Sequence, residues 1–146
     1  MSQVEDFLSK EEEQEIVAAI KKAELNTSGE IRVHIEASSN TEDAFKRALN
    51  VFQSLKMYET KQQNSVLIYV AVKDHKFVIY GDEGINKVVP ANFWAITKNI
   101  MQAHFKKGAF KKGIVEGVLK AGEELKTHFP WQTDDVDELS NEISKG

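Results

Sequence analysis

The chain has 146 residues, 41% hydrophobic and 29% charged, with a formal net charge of −4. That length suits one domain with a sizeable core, and the absence of cysteine excludes a disulfide framework, a thiolate zinc site and a cysteine nucleophile. Residues 133–146 hold five acids and one base, while the other 132 residues hold 18 acids and 18 bases, so the body has no basic field and nucleic-acid binding is not expected.

The first 15 residues, MSQVEDFLSKEEEQE, are acidic and contain no apolar core segment, so they do not read as a secretory signal. No apolar stretch reaches the length needed to span a bilayer, and direct membrane insertion is not expected. The default expectation is a cytoplasmic monomer.

Ser9-Lys10-Glu11-Glu12 fits a capping box and predicts a helix to about Glu24, with Ile16, Ala19, Ile20 and Ala23 as its apolar stripe. Asn26-Thr27-Ser28-Gly29 breaks it. Residues 30–36 alternate, with Ile31, Val33 and Ile35 inward and Glu30, Arg32, His34 and Glu36 on the other face, which reads as a strand near a sheet edge. Asn40 or Thr41 is positioned to cap a helix striped by Phe45, Ala48, Leu49, Phe52 and Leu55. Val66 to Val72 is an unbroken, β-branched-rich run, as expected of a strand buried on both faces. Lys73-Asp74-His75 is too short for a crossover, so the run from Phe77 to Tyr80 should return antiparallel. The helix between the first two strands makes them parallel, with a right-handed crossover.

Residues 84–90 read as a connection, and Pro90 sits at the first turn of a helix running to about Lys107. Phe93, Ile96, Ile100 and Met101 are its expected core residues, with Trp94 and Phe105 helping, and Gly108 ends it. A last helix runs from about Phe110 to His128, where Gly113 and Gly117, four apart, predict close helix packing. Pro130 stops it. The organisation is then a domain over residues 1–132 and an acidic tail over 133–146, with Trp131, Leu139 and Ile143 able to dock back onto the body. The order α-β-α-β-β-α-α predicts an α/β fold with a small mixed sheet.

This topology returns the start of the first two strands and the finish of the third to one end of the sheet. Thr27, Ser28, Glu30, Asn64, Asp82 and Glu83 should meet there, giving hard oxygen donors of the kind that suit Ca²⁺ or Mg²⁺. The plainer alternative is a set of solvated acids, with Asp82 capping the next segment. The histidines, His34, His75, His104 and His128, show no paired ligand spacing and read as surface or boundary residues. No nucleophile motif or dinucleotide-binding motif is present, so no catalytic residue and no organic cofactor is assigned. The alternation of Asp134, Asp135 and Asp137 lacks the glycine of a calcium loop, since Leu139 stands at its sixth position.

Several segments carry a family resemblance: residues 27–35 (TSGEIRVHI), 64–71 (NSVLIYVA) and 79–85 (IYGDEGI), then Phe93-Trp94 and the Phe-Lys-Lys-Gly segment. Together they resemble the TPM domain, over almost the whole chain, and the short single-domain bacterial form in particular, including the Phe129-Pro-Trp-Gln132 end. The resemblance implies a three-layer α/β/α sandwich. It also implies an acidic site for Ca²⁺ or Mg²⁺, carried onto Glu30, Asp82 and Glu83, with Asn64 and Ser28 nearby. Some plant members have been assigned acid phosphatase activity. Against the membrane-anchored members, neither a leader peptide nor a C-terminal membrane helix with a glycine-rich tail is expected here. The functional expectation is a non-enzymatic, metal-responsive binding or assembly module for a protein partner. The alternatives are a metal-dependent acid phosphatase acting on phosphomonoesters and a structural adaptor without metal.

Overall fold

The computed structural model describes residues 8–40, 43–131 and 140–145. Its elements are α1 (Lys10–Glu24), β1 (Glu30–Glu36), α2 (Ala44–Ser54), a 3-10 turn (Met57–Glu59), β2 (Ser65–Ala71), β3 (Lys76–Gly81), α3 (Glu83–Asn86), α4 (Ala95–Lys106), α5 (Phe110–Lys126) and β4 (Ser144–Lys145). All seven residues of β2 are buried, as its unbroken apolar run requires of a strand covered on both faces. The sheet order is β3-β2-β1-β4. β1 runs parallel to β2, β2 antiparallel to β3, and β4 parallel to β1.

The two faces of β2 feed two cores. Val66, Ile68 and Val70 pack with Ile31, Val33 and Ile35 of β1 against α1, α4 and α5, through Ile16, Ile20, Met101, Ile114, Val118 and Leu125. Leu67, Tyr69 and Ala71 face the other way, against Ala48, Val51 and Phe52 of α2 and Met57. The result is a three-layer α/β/α sandwich.

Local chemistry explains most boundaries. Ser9 and Glu12 complete the capping box reciprocally, Ser9 Oγ accepting from Glu12 N at 3.1 Å and Glu12 Oε1 from Ser9 N at 3.0 Å. Gly113 and Gly117 allow α5 to approach α4 closely, since a Cβ at Gly117 would lie 2.5 Å from Met101 Sδ. The cap of α2 is Asp43, whose Oδ1 accepts from Lys46 N at 3.2 Å. Asn40 instead takes a left-handed backbone (φ 57°), and Thr41 lies outside the described residues.

Three further expectations are corrected. The helix expected from Pro90 starts at Ala95, because the preceding residues form tight turns, with Pro90 O accepting from Phe93 N and Asn92 O from Ala95 N. Those turns let the adjacent Phe93 and Trp94 both pack on the core, edge to face at 4.7 Å. Ile96 is 59% exposed, and Thr97 is buried in its place, its hydroxyl donating to Glu124 Oε1 at 2.9 Å. Residues 84–86, read as the start of a connection, form with Glu83 the one-turn helix α3. In the tail, Ile143 packs on the main core as expected, and Ser144 and Lys145 extend the sheet beside His34 and Ile35, where Lys145 pairs with Glu13. Trp131 is 46% exposed, and Leu139, like Asp134, Asp135 and Asp137, lies outside the described residues.

α3 is held against the loop before β2 by a backbone contact, Gly84 N donating to Gln63 O at 2.8 Å. A Cβ at Gly84 would lie 2.2 Å from Gln62 O and 2.5 Å from Gln63 O, both backbone atoms. Gly84→Ala is therefore expected to destabilise the fold by about 1–3 kcal/mol, read as a lower midpoint in chemical denaturation. An unchanged midpoint would show that this contact yields without cost.

Candidate functional site

Register determines which polar groups meet. Glu30 pairs with Ser65 and Val66 with Gly81, so Glu30, Ser65 and Asp82 form a row across β1, β2 and the end of β3. Backbone bonds fix the row: Asn64 O accepts from Glu30 N at 3.3 Å, and Ser65 O from Asp82 N at 2.9 Å. Ser28 Oγ accepts from Asn64 Nδ2 at 3.4 Å. Glu30, Asn64 and Asp82 are buried, Ser28 is half-buried and Glu83 is exposed on α3.

The row also keeps its acids apart. Neighbouring strands lie about 4.8 Å apart, so the Glu30 and Asp82 backbones, with Ser65 between them, are separated by roughly 10 Å. Among the described residues, no three His, Asp or Glu side chains are close enough to share a metal ion. Ser65 donates its hydroxyl to Met57 O at 2.8 Å. Thr27 is also committed: its hydroxyl donates to Phe129 O and accepts from Gly29 N at 3.0 Å, tying the end of α5 to the start of β1.

Asp82 is buried, and only one of its two carboxylate oxygens is hydrogen-bonded. Oδ1 accepts from Glu83 N at 2.8 Å and caps α3. The other, Oδ2, is buried and has no hydrogen-bond partner among the described residues. Burial pushes the Asp82 carboxyl up from the usual range; the bond from Glu83 N opposes this, and the Glu83 charge adds to it. Asp82, Asn64 and Ser28 offer hard oxygens, so the donor chemistry fits Ca²⁺ or Mg²⁺. With no group of three acids among the described residues, neutral oxygens and water would have to complete such a ligand set.

A second polar cluster lies on the α2 face of β1, on the polar side of that strand's alternation. Glu36, 3% exposed, is its centre. Arg47 donates to it twice, Nε to Oε2 and Nη2 to Oε1, both at 2.8 Å. Tyr69 OH donates to Oε2, and His34 Nε2 lies 2.9 Å from Oε1. An ionised Glu36 requires the His34 proton on Nε2, which leaves Nδ1 to accept from Ser144 Oγ at 2.8 Å. The His34 and Tyr69 rings stack at 5.8 Å. Burial alone would raise the Glu36 carboxyl, but hydrogen bonds from Arg47, Tyr69 and His34 bring it down to about 2. Burial lowers His34, against the pull of Glu36. Tyr69 is raised, by burial first and then by its bond to Glu36. The sequence offered one signal for this cluster, Arg47 on the inward flank of α2 beside Ala48; the alternation of β1 alone marked only a polar face.

The model of the TPM domain matches residues 1–124. This chain belongs to the TPM domain family. The BA42 protein of the psychrophilic bacterium Bizionia argentinensis, solved by NMR, is 60% identical to this TPM domain, with each chain covering 100% of the other and a TM-score of 0.92. The N-terminal domain of a P. gingivalis protein shares the fold at 19% identity and a TM-score of 0.69, covering 84% of this chain and 79% of its own. That of the cg2496 protein of Corynebacterium glutamicum does so at 12% identity and a TM-score of 0.63, covering 95% and 80%. No match is found among curated proteins.

In this TPM domain the Glu36 cluster sets the acid limit of stability. The folded-state pKa of Glu36 is depressed from 4.5 to about 2, so its stabilisation is complete above pH ~4.5 and lost as pH falls towards ~2. His34 acts in the same direction earlier: its depressed pKa means that acidification below ~6.5 protonates the unfolded state preferentially. Glu36→Gln leaves Arg47 without its anion and is expected to cost about 3 kcal/mol at pH 7, while flattening the acid limb of a stability–pH curve between ~4.5 and ~2. A variant with an unchanged acid limb would show that Glu36 does not control it.

Proposed function

We propose that this TPM domain is a divalent-cation-responsive binding module that takes Ca²⁺ or Mg²⁺ at the sheet edge. Asp82 would be the central ligand, with Asn64 and Ser28 at the same end of the sheet as further oxygen donors and Glu30 and Glu83 supplying further charge. One observation carries the reading: a buried carboxylate oxygen, Asp82 Oδ2, without a partner. Burying such a group without compensation is costly. A bound cation supplies the positive charge that offsets it.

The consequence falls on the turn. Asp82 both faces the site and caps α3, so neutralising its charge steadies the segment from Gly81 to Gly84, with Glu83 exposed at its tip. That steadied turn is the surface offered to a protein partner. A binding role is favoured over phosphoryl transfer because Arg47, one of two arginines in the chain, is already committed to Glu36, which leaves Arg32 as the single guanidinium that could hold a phosphoryl group.

Thermal unfolding of wild type and Asp82→Asn at pH 7, in EDTA and in Ca²⁺ or Mg²⁺, tests this. Wild type should gain about 2.7 kcal/mol at roughly 100-fold excess of ion over Kd. Asp82→Asn should equal or exceed wild type in EDTA, having lost a buried charge, and gain nothing from either ion. An equal cation response in both proteins would overturn the reading. EDTA-sensitive hydrolysis of a generic phosphomonoester by the same samples would replace it with a metal-dependent phosphatase.

A further inference from the structure

On the α2 face of β1, Arg32 stands two residues before His34 and four before Glu36, and its register partner on β2 is Leu67. A cleft of about 510 Å³ opens there, lined by Arg32, Lys56, Glu59, Thr60, Lys61 and Ser140 with Leu55. Two of its polar groups are buried without hydrogen-bond partners among the described residues, Arg32 Nε and Thr60 Oγ1. Thr60 is only 5% exposed. Burial lowers the Arg32 pKa.

Both orphaned groups can donate. A guanidinium Nε–H only donates, and a threonine hydroxyl beside it is free to do the same. The missing ligand must therefore present acceptors. The other arginine shows what such a group takes on this face: Arg47 holds the Glu36 carboxylate through Nε and Nη2, both at 2.8 Å. Lys56 and Lys61 make the lining net positive against Glu59. With Arg32 itself the lining holds three cations and one acid, so charge favours an anion, and the paired grip of Arg47 on Glu36 is what points to a carboxylate.

We propose that this cleft binds a carboxylate from outside the chain, held by the Arg32 guanidinium and the Thr60 hydroxyl. The ligand is a small organic acid or an acidic side chain of a peptide. The site involves no cation and stands independently of the sheet-edge reading.

The test is an NMR titration of the full chain in EDTA, following the Arg32 Nε–H signal and the backbone amides of residues 32 and 56–61. Sodium acetate, sodium succinate and a short Asp/Glu peptide are added in turn, with sodium chloride at matched ionic strength as control and sodium phosphate as a further arm. Saturable shifts in carboxylate, absent in chloride, are expected. They should weaken by at least about tenfold in Arg32→Gln and also in Thr60→Val, whose shape matches threonine. Tighter binding of the peptide assigns the site to an acidic partner, and tighter binding of succinate to a small acid. Shifts equal to those in chloride, shifts unchanged in both variants, or phosphate binding more tightly than every carboxylate would each overturn the proposal.

Discussion

The structure depends on β2 being covered on both faces. Seven consecutive buried residues cannot sit at the surface of a two-layer protein, so helices must lie on either side. That constraint reaches the neighbouring strand. Once α2 covers one face of the sheet, the polar residues of β1 that point towards it lose their water. Each must then find a partner inside the protein or remain at a cost. Glu36 finds three, from α2, β2 and β1 itself. Arg32, two pleats earlier on the same face, finds none for its Nε.

The apolar periodicities of the sequence were enough for the main architecture. The β2 run, the short hairpin and the intervening α2 determined which strands pair and in which direction, and hence that Glu30, Asn64 and Asp82 share one end of the sheet. The capping box at Ser9 and the glycine pair of α5 were also legible, because each is a local rule. What the sequence did not reveal depends on contacts between distant segments. Alternation on β1 looks the same whether the polar face meets water or a buried arginine. A two-residue strand at Ser144 has no periodicity to read, yet it extends the sheet beside β1 and places a hydroxyl on His34. The turns at Pro90 depend on where Phe93 and Trp94 must pack, which residue order alone does not state.

The candidate site was legible in the same uneven way. Topology gathered its residues to one edge, but only register shows Ser65 standing between Glu30 and Asp82. The acids consequently act at a distance from one another, and the cost of burial concentrates on one group. Asp82 does two things at once: Oδ1 caps α3, and Oδ2 is left buried and unpartnered. A cation-responsive turn needs this coupling, since any charge that settles Oδ2 acts on the same side chain that starts the helix.

The most direct measurement is a Ca²⁺ and Mg²⁺ titration of the metal-stripped protein, with every backbone amide followed by NMR. Saturable shifts confined to residues 28–32, 64 and 81–85 are the result expected of a sheet-edge cation site centred on Asp82. Shifts confined to residues 134–138 would show that the acidic tail collects the ions instead, and no shifts at millimolar ion would remove the cation from the account altogether.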